Sequence, residues 1–162
     1  MALAEAYRSN KNVALISDYY LSSTIDVPSN VAIYGFSNLE YVNTIIVSNN
    51  IQTVFNCRLG NYMHNFAIRP VTQSYQNIIG FKCTGNNGLN LDANFIGIQI
   101  SYMEKGIWVT GRNINIYDSL FSHCRYGIHI DIPTINNQNY RGMWISRCRF
   151  HGIGEEIDPS TN

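Results

Sequence analysis

Asp92, Asp131 and His129 carry the side chains that acid–base catalysis uses. One carboxyl can protonate a leaving oxygen while a second activates water, and an imidazole can tune either. Asn90, Trp108 and Thr110 lie near them in the sequence. An outward indole offers a stacking platform to a sugar ring, and amides, hydroxyls and carboxylates bond its hydroxyls. These types together point to carbohydrate chemistry.

A repeat relates these residues in space. Gly88-Leu89-Asn90-Leu91, Gly106-Ile107-Trp108-Val109 and Gly127-Ile128-His129-Ile130 each read glycine, apolar, variable, apolar. Their glycines are 18 and 21 residues apart. Period-2 segments recurring at about 20 residues predict a solenoid, in which equivalent positions stack on successive rungs. Asn90, Trp108 and His129 then form one outward column, and Asp92, Thr110 and Asp131 the column beside it. Two rungs span about 9.5 Å, so Asp92 and Asp131 would fall within the roughly 6.5–9.5 Å of an inverting glycosidase. The same acids also read as solvated surface groups. Trp108 also reads as a ring packed under a loop or a neighbouring subunit.

A second strand family supports the repeat. Ile100-Ser101-Tyr102-Met103 matches Phe121-Ser122-His123-Cys124 at an offset of 21 residues. Tyr102 is therefore expected over His123, and Glu104 beside Arg125 as a cross-rung ion pair. A further family reads Phe66-Ala67-Ile68, Ile96-Gly97-Ile98, Ile114-Asn115-Ile116 and Met143-Trp144-Ile145. It places Trp144 above the small residues Asn115 and Gly97, as a second sugar platform or a subunit contact. Cys57-Arg58-Leu59-Gly60 and Cys124-Arg125-Tyr126-Gly127 read as one repeat position, with cysteines in an internal ladder.

Composition narrows the class. The 162 residues suffice for one domain with a real core. Only 14% are charged, against a typical share of about 25%, and Asn, Ile, Ser, Gly and Tyr fill the gap. That mix suits β-structure with polar turns. Formal net charge is zero and the 11 basic residues are scattered, which argues against a nucleic-acid backbone partner. No apolar run approaches the ~18 residues of a membrane span. The N-terminus lacks the pattern of a signal peptide, so synthesis in a cytoplasm is expected. No cluster has metal-ligand spacing, and no phosphate-binding glycine pattern appears, so neither metal nor cofactor is predicted.

Residues 1–162 read as one all-β domain. A short N-terminal helical turn is expected within 1–12, with Leu3 and Ala6 on one face. Residues 13–60 form the first coils, through the strand pieces Val13–Ile16, Asp18–Leu21, Thr24–Val27, Val31–Gly35, Thr44–Val47 and Thr53–Phe55. Regular coils occupy 61–154, with a corner loop at 133–141, and 155–162 form a tail. About six coils fit.

Residues Val13–Ile16, Tyr20–Ile25 and Val27–Gly35 resemble the opening coil of the pectate-lyase-like superfamily, and the run 122–130 is similar to its rungs. The resemblance covers most of 3–153. It implies a right-handed, single-stranded parallel β-helix. Within that superfamily the chain looks most like a bacteriophage tailspike or tail-fibre depolymerase. Such a protein would recognise and cleave bacterial capsule or O-antigen polysaccharide on the virion tail, as a homotrimer. The resemblance equally admits a lyase, a C5-epimerase, a non-catalytic binding segment or a trimer-assembly segment. Asp92, Asp131 and His129 are the catalytic candidates. Asn90, Trp108, Thr110, Tyr102, His123 and Trp144 are the substrate-binding candidates. The absence of a recognisable capping element after Pro159 reads as a fragment, or as the partner of a chain that continues the stack.

Overall fold

The computed structural model describes residues 12–36, 42–85, 90–131 and 142–154. They form strands and no helix. The helical turn expected within 1–12 (Asn12 aside), the loop 133–141 and the tail 155–162 lie outside the described residues.

Three parallel sheets share the strands in strict rotation. The first holds β1 (Val13–Ala14), β4 (Ala32–Tyr34), β7 (Tyr62–His64), β10 (Asn90–Ile96), β13 (Arg112–Tyr117) and β16 (Trp144–Ser146). The second holds β2 (Tyr19–Leu21), β5 (Thr44–Val47), β8 (Ala67–Pro70), β11 (Gln99–Ser101), β14 (Leu120–Ser122) and β17 (Arg149–His151). The third holds β3 (Ile25–Asp26), β6 (Thr53–Cys57), β9 (Gln76–Cys83), β12 (Met103–Val109) and β15 (Tyr126–Ile130). Every third strand thus returns to the same sheet, which makes the all-β fold solenoid-like. The six strand pieces expected between Val13 and Phe55 all coincide with strands.

The core is a set of apolar columns. Val13, Ile33, Met63, Phe95, Ile116 and Ile145 stack in the first sheet. Tyr19, Ile45, Ile68, Ile100, Phe121 and Phe150 stack in the second. Ile25, Phe55, Phe81, Ile107 and Ile128 stack in the third. Side chains alternate sides along a strand, so each column faces the interior and its neighbours face out. Rings stack within and across columns: Phe55 on Phe81 at 5.3 Å, and Phe81 against Phe95 at 4.9 Å.

The corners repeat as strictly as the strands. Asn65, Gly97, Asp118 and Arg147 all take left-handed backbone where the chain passes from the first sheet to the second. Tyr102 and His123 do so between the second and the third, and Gly152 does so just after the last second-sheet strand. The φ > 0 region is sparsely open to most side chains but costs Asn, Asp and Gly little. Gly106 answers a different demand. A Cβ there would sit 2.5 Å from the Gly127 carbonyl oxygen.

The register corrects three expectations. The third-sheet repeat begins with Gly80-Phe81-Lys82-Cys83, not with Gly88, which lies outside the described residues. Lys82 pairs with Trp108 and Cys83 with Val109, so this rung is 26 residues long and the next is 21. The extra residues fall between Cys83 and Ala93, ten positions apart where their partners Val109 and Ile114 are five apart, and one of them is the bulge between Asn90 and Ala93. Asn90 and Asp92 fall on β10 of the first sheet instead, where Asn90 pairs with Arg112. Cys57 registers with Cys83, not with the position of Cys124. The strand family through Asn115 and Trp144 includes 93–95, while Phe66-Ala67-Ile68 leads into the second sheet and Ile96-Gly97-Ile98 spans a corner. Trp144 therefore sits above Asn115 and Asn94, not Gly97.

Candidate corner cleft and third-sheet face

A cleft of about 840 Å³ opens beside the corner where the chain leaves the third sheet for the first. Asp26, Asn56 and Lys82 reach it from one outward third-sheet column. Arg58 and Leu59 follow β6, and Thr84 and Gly85 follow β9. Asn90, Asp92 and Arg112 complete it from β10 and β13. The lining therefore mixes two carboxylates, three cations and two amides.

Local hydrogen bonds hold the acids. Asn56 donates to Asp26 Oδ1 at 2.7 Å, and Asn113 donates to Asp92 Oδ1 at 3.0 Å. Asp92 itself sits in left-handed backbone at the bulge of β10 and faces outward between the buried Leu91 and Ala93. Arg112 is 7% exposed and sets a cationic floor to the cleft.

Along the same outward column the surface continues past the cleft, from Lys82 to Trp108 and His129. Lys105 Nζ lies 4.3 Å from the Trp108 ring centroid and Lys82 Nζ lies 4.9 Å from it. His129 meets Trp108 edge-on at 6.5 Å and Tyr126 at 5.0 Å. In this arrangement the indole carries ammonium groups where a stacked sugar would lie.

The other candidates are dispersed. Thr110 and Asp131 follow the third-sheet strands in register, with Asp131 N–H donating to the Val109 carbonyl at 2.8 Å. Asp131 does not line the cleft, and Asp92 belongs to another sheet, so the two-rung spacing does not apply to them. Tyr102 stacks on His123 at 4.9 Å, as the 21-residue match requires, but this pair occupies the corner between the second and third sheets. Ser122 Oγ lies 2.9 Å from His123 Nδ1, and His151 meets His123 edge-on at 5.3 Å. Trp144 is 62% exposed on the last strand of the first sheet.

Next to that corner, Tyr75 donates a hydrogen bond to Glu104, which also faces Arg125 at 3.6 Å. Burial and this bond push the Tyr75 phenol up to about 12. Burial likewise holds the Cys57 thiol well above its usual range and raises Cys124 to about 11, which leaves both poor nucleophiles. Among the described residues no three His, Cys, Asp or Glu side chains gather as a metal site.

Asp26, Arg58, Lys82 and Arg112 are the residues that the repeat reading misses. The signal for Lys82 was the strand Gln76–Cys83, whose Gly-Phe-Lys-Cys run carries the same pattern as the two later rungs. The chain matches no protein-family model, no curated protein and no solved structure.

Proposed function

We propose that this chain is a polysaccharide-recognising segment of a right-handed parallel β-helix of about six coils, of the pectate-lyase-like kind. On this reading it serves a phage tailspike as a homotrimer and binds bacterial capsule or O-antigen in the corner cleft. The observation that carries the reading is the lining itself. Asn56 and Asn90 suit sugar hydroxyls, while Asp26 and Asp92 share one open groove with basic groups. A groove along a stacked array of rungs also suits an extended polymer.

Depolymerisation in this cleft would use Asp92 as the proton-transfer group, with Asp26 as the second carboxyl. No metal is required for such a step. Elimination is a second reading, favoured by a specific feature: Arg58, Lys82 and Arg112 line the same groove and would neutralise a uronate. Chain-length analysis of a panel of capsular and O-antigen polysaccharides, after incubation with the protein, tests both. Shortened polymer with new reducing ends identifies hydrolysis. Shortened polymer with ultraviolet-absorbing unsaturated ends identifies elimination. Either activity should be lost in Asp92→Asn with binding retained. Polymer that is bound but not shortened leaves recognition without catalysis. Folded protein that neither binds nor shortens any polymer overturns the proposal.

A further inference from the structure

The face around Trp108 gathers two cations and a buried hydrogen-bond donor. Two ammonium groups, Lys82 and Lys105, converge on one indole from adjacent rungs and from the same strand. Neither forms an ion pair among the described residues. Two acids of the third sheet have partners of their own. Glu104 pairs with Tyr75 and Arg125, and Asp26 accepts from Asn56. Trp108 Nε1 is buried and has no hydrogen-bond acceptor. An indole N–H can only donate, and a buried donor without an acceptor is rare in folded proteins. Two like charges drawn to one ring, beside an N–H that lacks an acceptor, form a set that one anion satisfies.

We propose that Lys82, Lys105 and the Trp108 N–H form an anion site on the third sheet. It would take a planar carboxylate or a sulfate or phosphate group. The ammonium groups supply charge, and Nε1, once exposed by side-chain movement, donates to an oxygen of the anion. His129 borders the site in register with Trp108. Lys82 also lines the corner cleft, so an acidic group on a glycan held there reaches the site. The anion site stands on its own geometry, and only the identity of its ligand as an acidic glycan rests on the polysaccharide reading.

The Trp108 indole N–H resonance reports on the site directly. Trp144→Phe removes the other of the two tryptophans and assigns it. Sodium sulfate and sodium glucuronate, titrated at constant ionic strength, should shift that resonance saturably, while glucose leaves it in place. The double variant Lys82→Gln, Lys105→Gln should bind at least ten-fold more weakly, with an unchanged amide spectrum elsewhere. No saturable shift, or an equal shift in the double variant, overturns the site. A polymer arm separates the two readings. Polyglucuronate binding at least ten-fold tighter than its carboxyl-reduced form supports an acidic glycan as ligand. Equal binding of both polymers overturns that ligand and leaves the polysaccharide reading intact. Binding of the small anions with no polymer bound supports the anion site and counts against the polysaccharide reading.

Discussion

The inner and outer columns of the third sheet run through the same five strands. Inside stand Ile25, Phe55, Phe81, Ile107 and Ile128. Outside, one residue further along each strand, stand Asp26, Asn56, Lys82, Trp108 and His129. The inner column is chemically uniform because each rung must pack on the one below at near-crystalline density. The outer column holds an acid, an amide, an ammonium, an indole and an imidazole. Stacking spaces these groups about 4.8 Å apart without asking them to resemble one another. The contrast indicates where this fold leaves room for function: on outward columns, beside corners that can widen.

The largest effect should follow from breaking the inner column. Phe81→Ala removes a fully buried ring that touches Phe55, Phe66 and Phe95, and should cost about 3–5 kcal/mol in denaturant unfolding. Lys82→Gln, the next residue on the same strand, should stay within about 0.5 kcal/mol of the parent protein. Equal losses at the two positions would abolish the distinction between the columns.

Gly106→Ala sharpens the comparison at the backbone. Its new methyl would press on the Gly127 carbonyl oxygen and the Phe121 ring, since the next rung approaches closely at this glycine. A loss of about 1–3 kcal/mol is expected in the same assay.

Tyr75 extends the comparison to pH. Its phenol is raised from 10.0 to about 12, first by burial and then by donation to Glu104. A raised value means that its stabilising contribution is complete below about pH 10 and declines as pH climbs towards 12. Alkaline unfolding monitored by circular dichroism should show this decline in the parent protein and a flatter profile in Tyr75→Phe.

The smallest effect belongs to the exposed corner pair Asp118 and Arg147, which bond at 2.6 and 2.8 Å. The guanidinium holds the Asp118 carboxyl below its ordinary value. The contribution is therefore present above the usual carboxylate range and lost as pH falls through the lowered value. Asp118→Asn should differ slightly from the parent at neutral pH and not at all in strong acid, and added salt should shrink the difference.

The equal-length rungs were readable in advance, and the cleft was not. The stacks of Ser101 on Ser122 and Gly106 on Gly127 follow from rungs of equal length, so a constant offset identifies them. The Tyr102–His123 stack follows for the same reason. The cleft was hidden because its rungs differ in length. A fixed period counts from Gly106 to Gly88, whereas the longer passage from Cys83 to Ala93 places Gly80 there. The same miscount sent Asp92 to the wrong sheet and concealed Lys82. Arg58 and Arg112 carry no repeat signature at all, because they flank corners.

Alternation of apolar and polar residues, with glycine at fixed distances, determined from the chain alone that the protein is built of short strands returning in register. It did so because side-chain direction alternates with every residue of a strand and stacked rungs demand matching inner residues. Which outward side chains meet was decided only by the tertiary structure. Corners accept bends and bulges at little cost, and each added residue there shifts every later column without disturbing the alternation that the sequence displays.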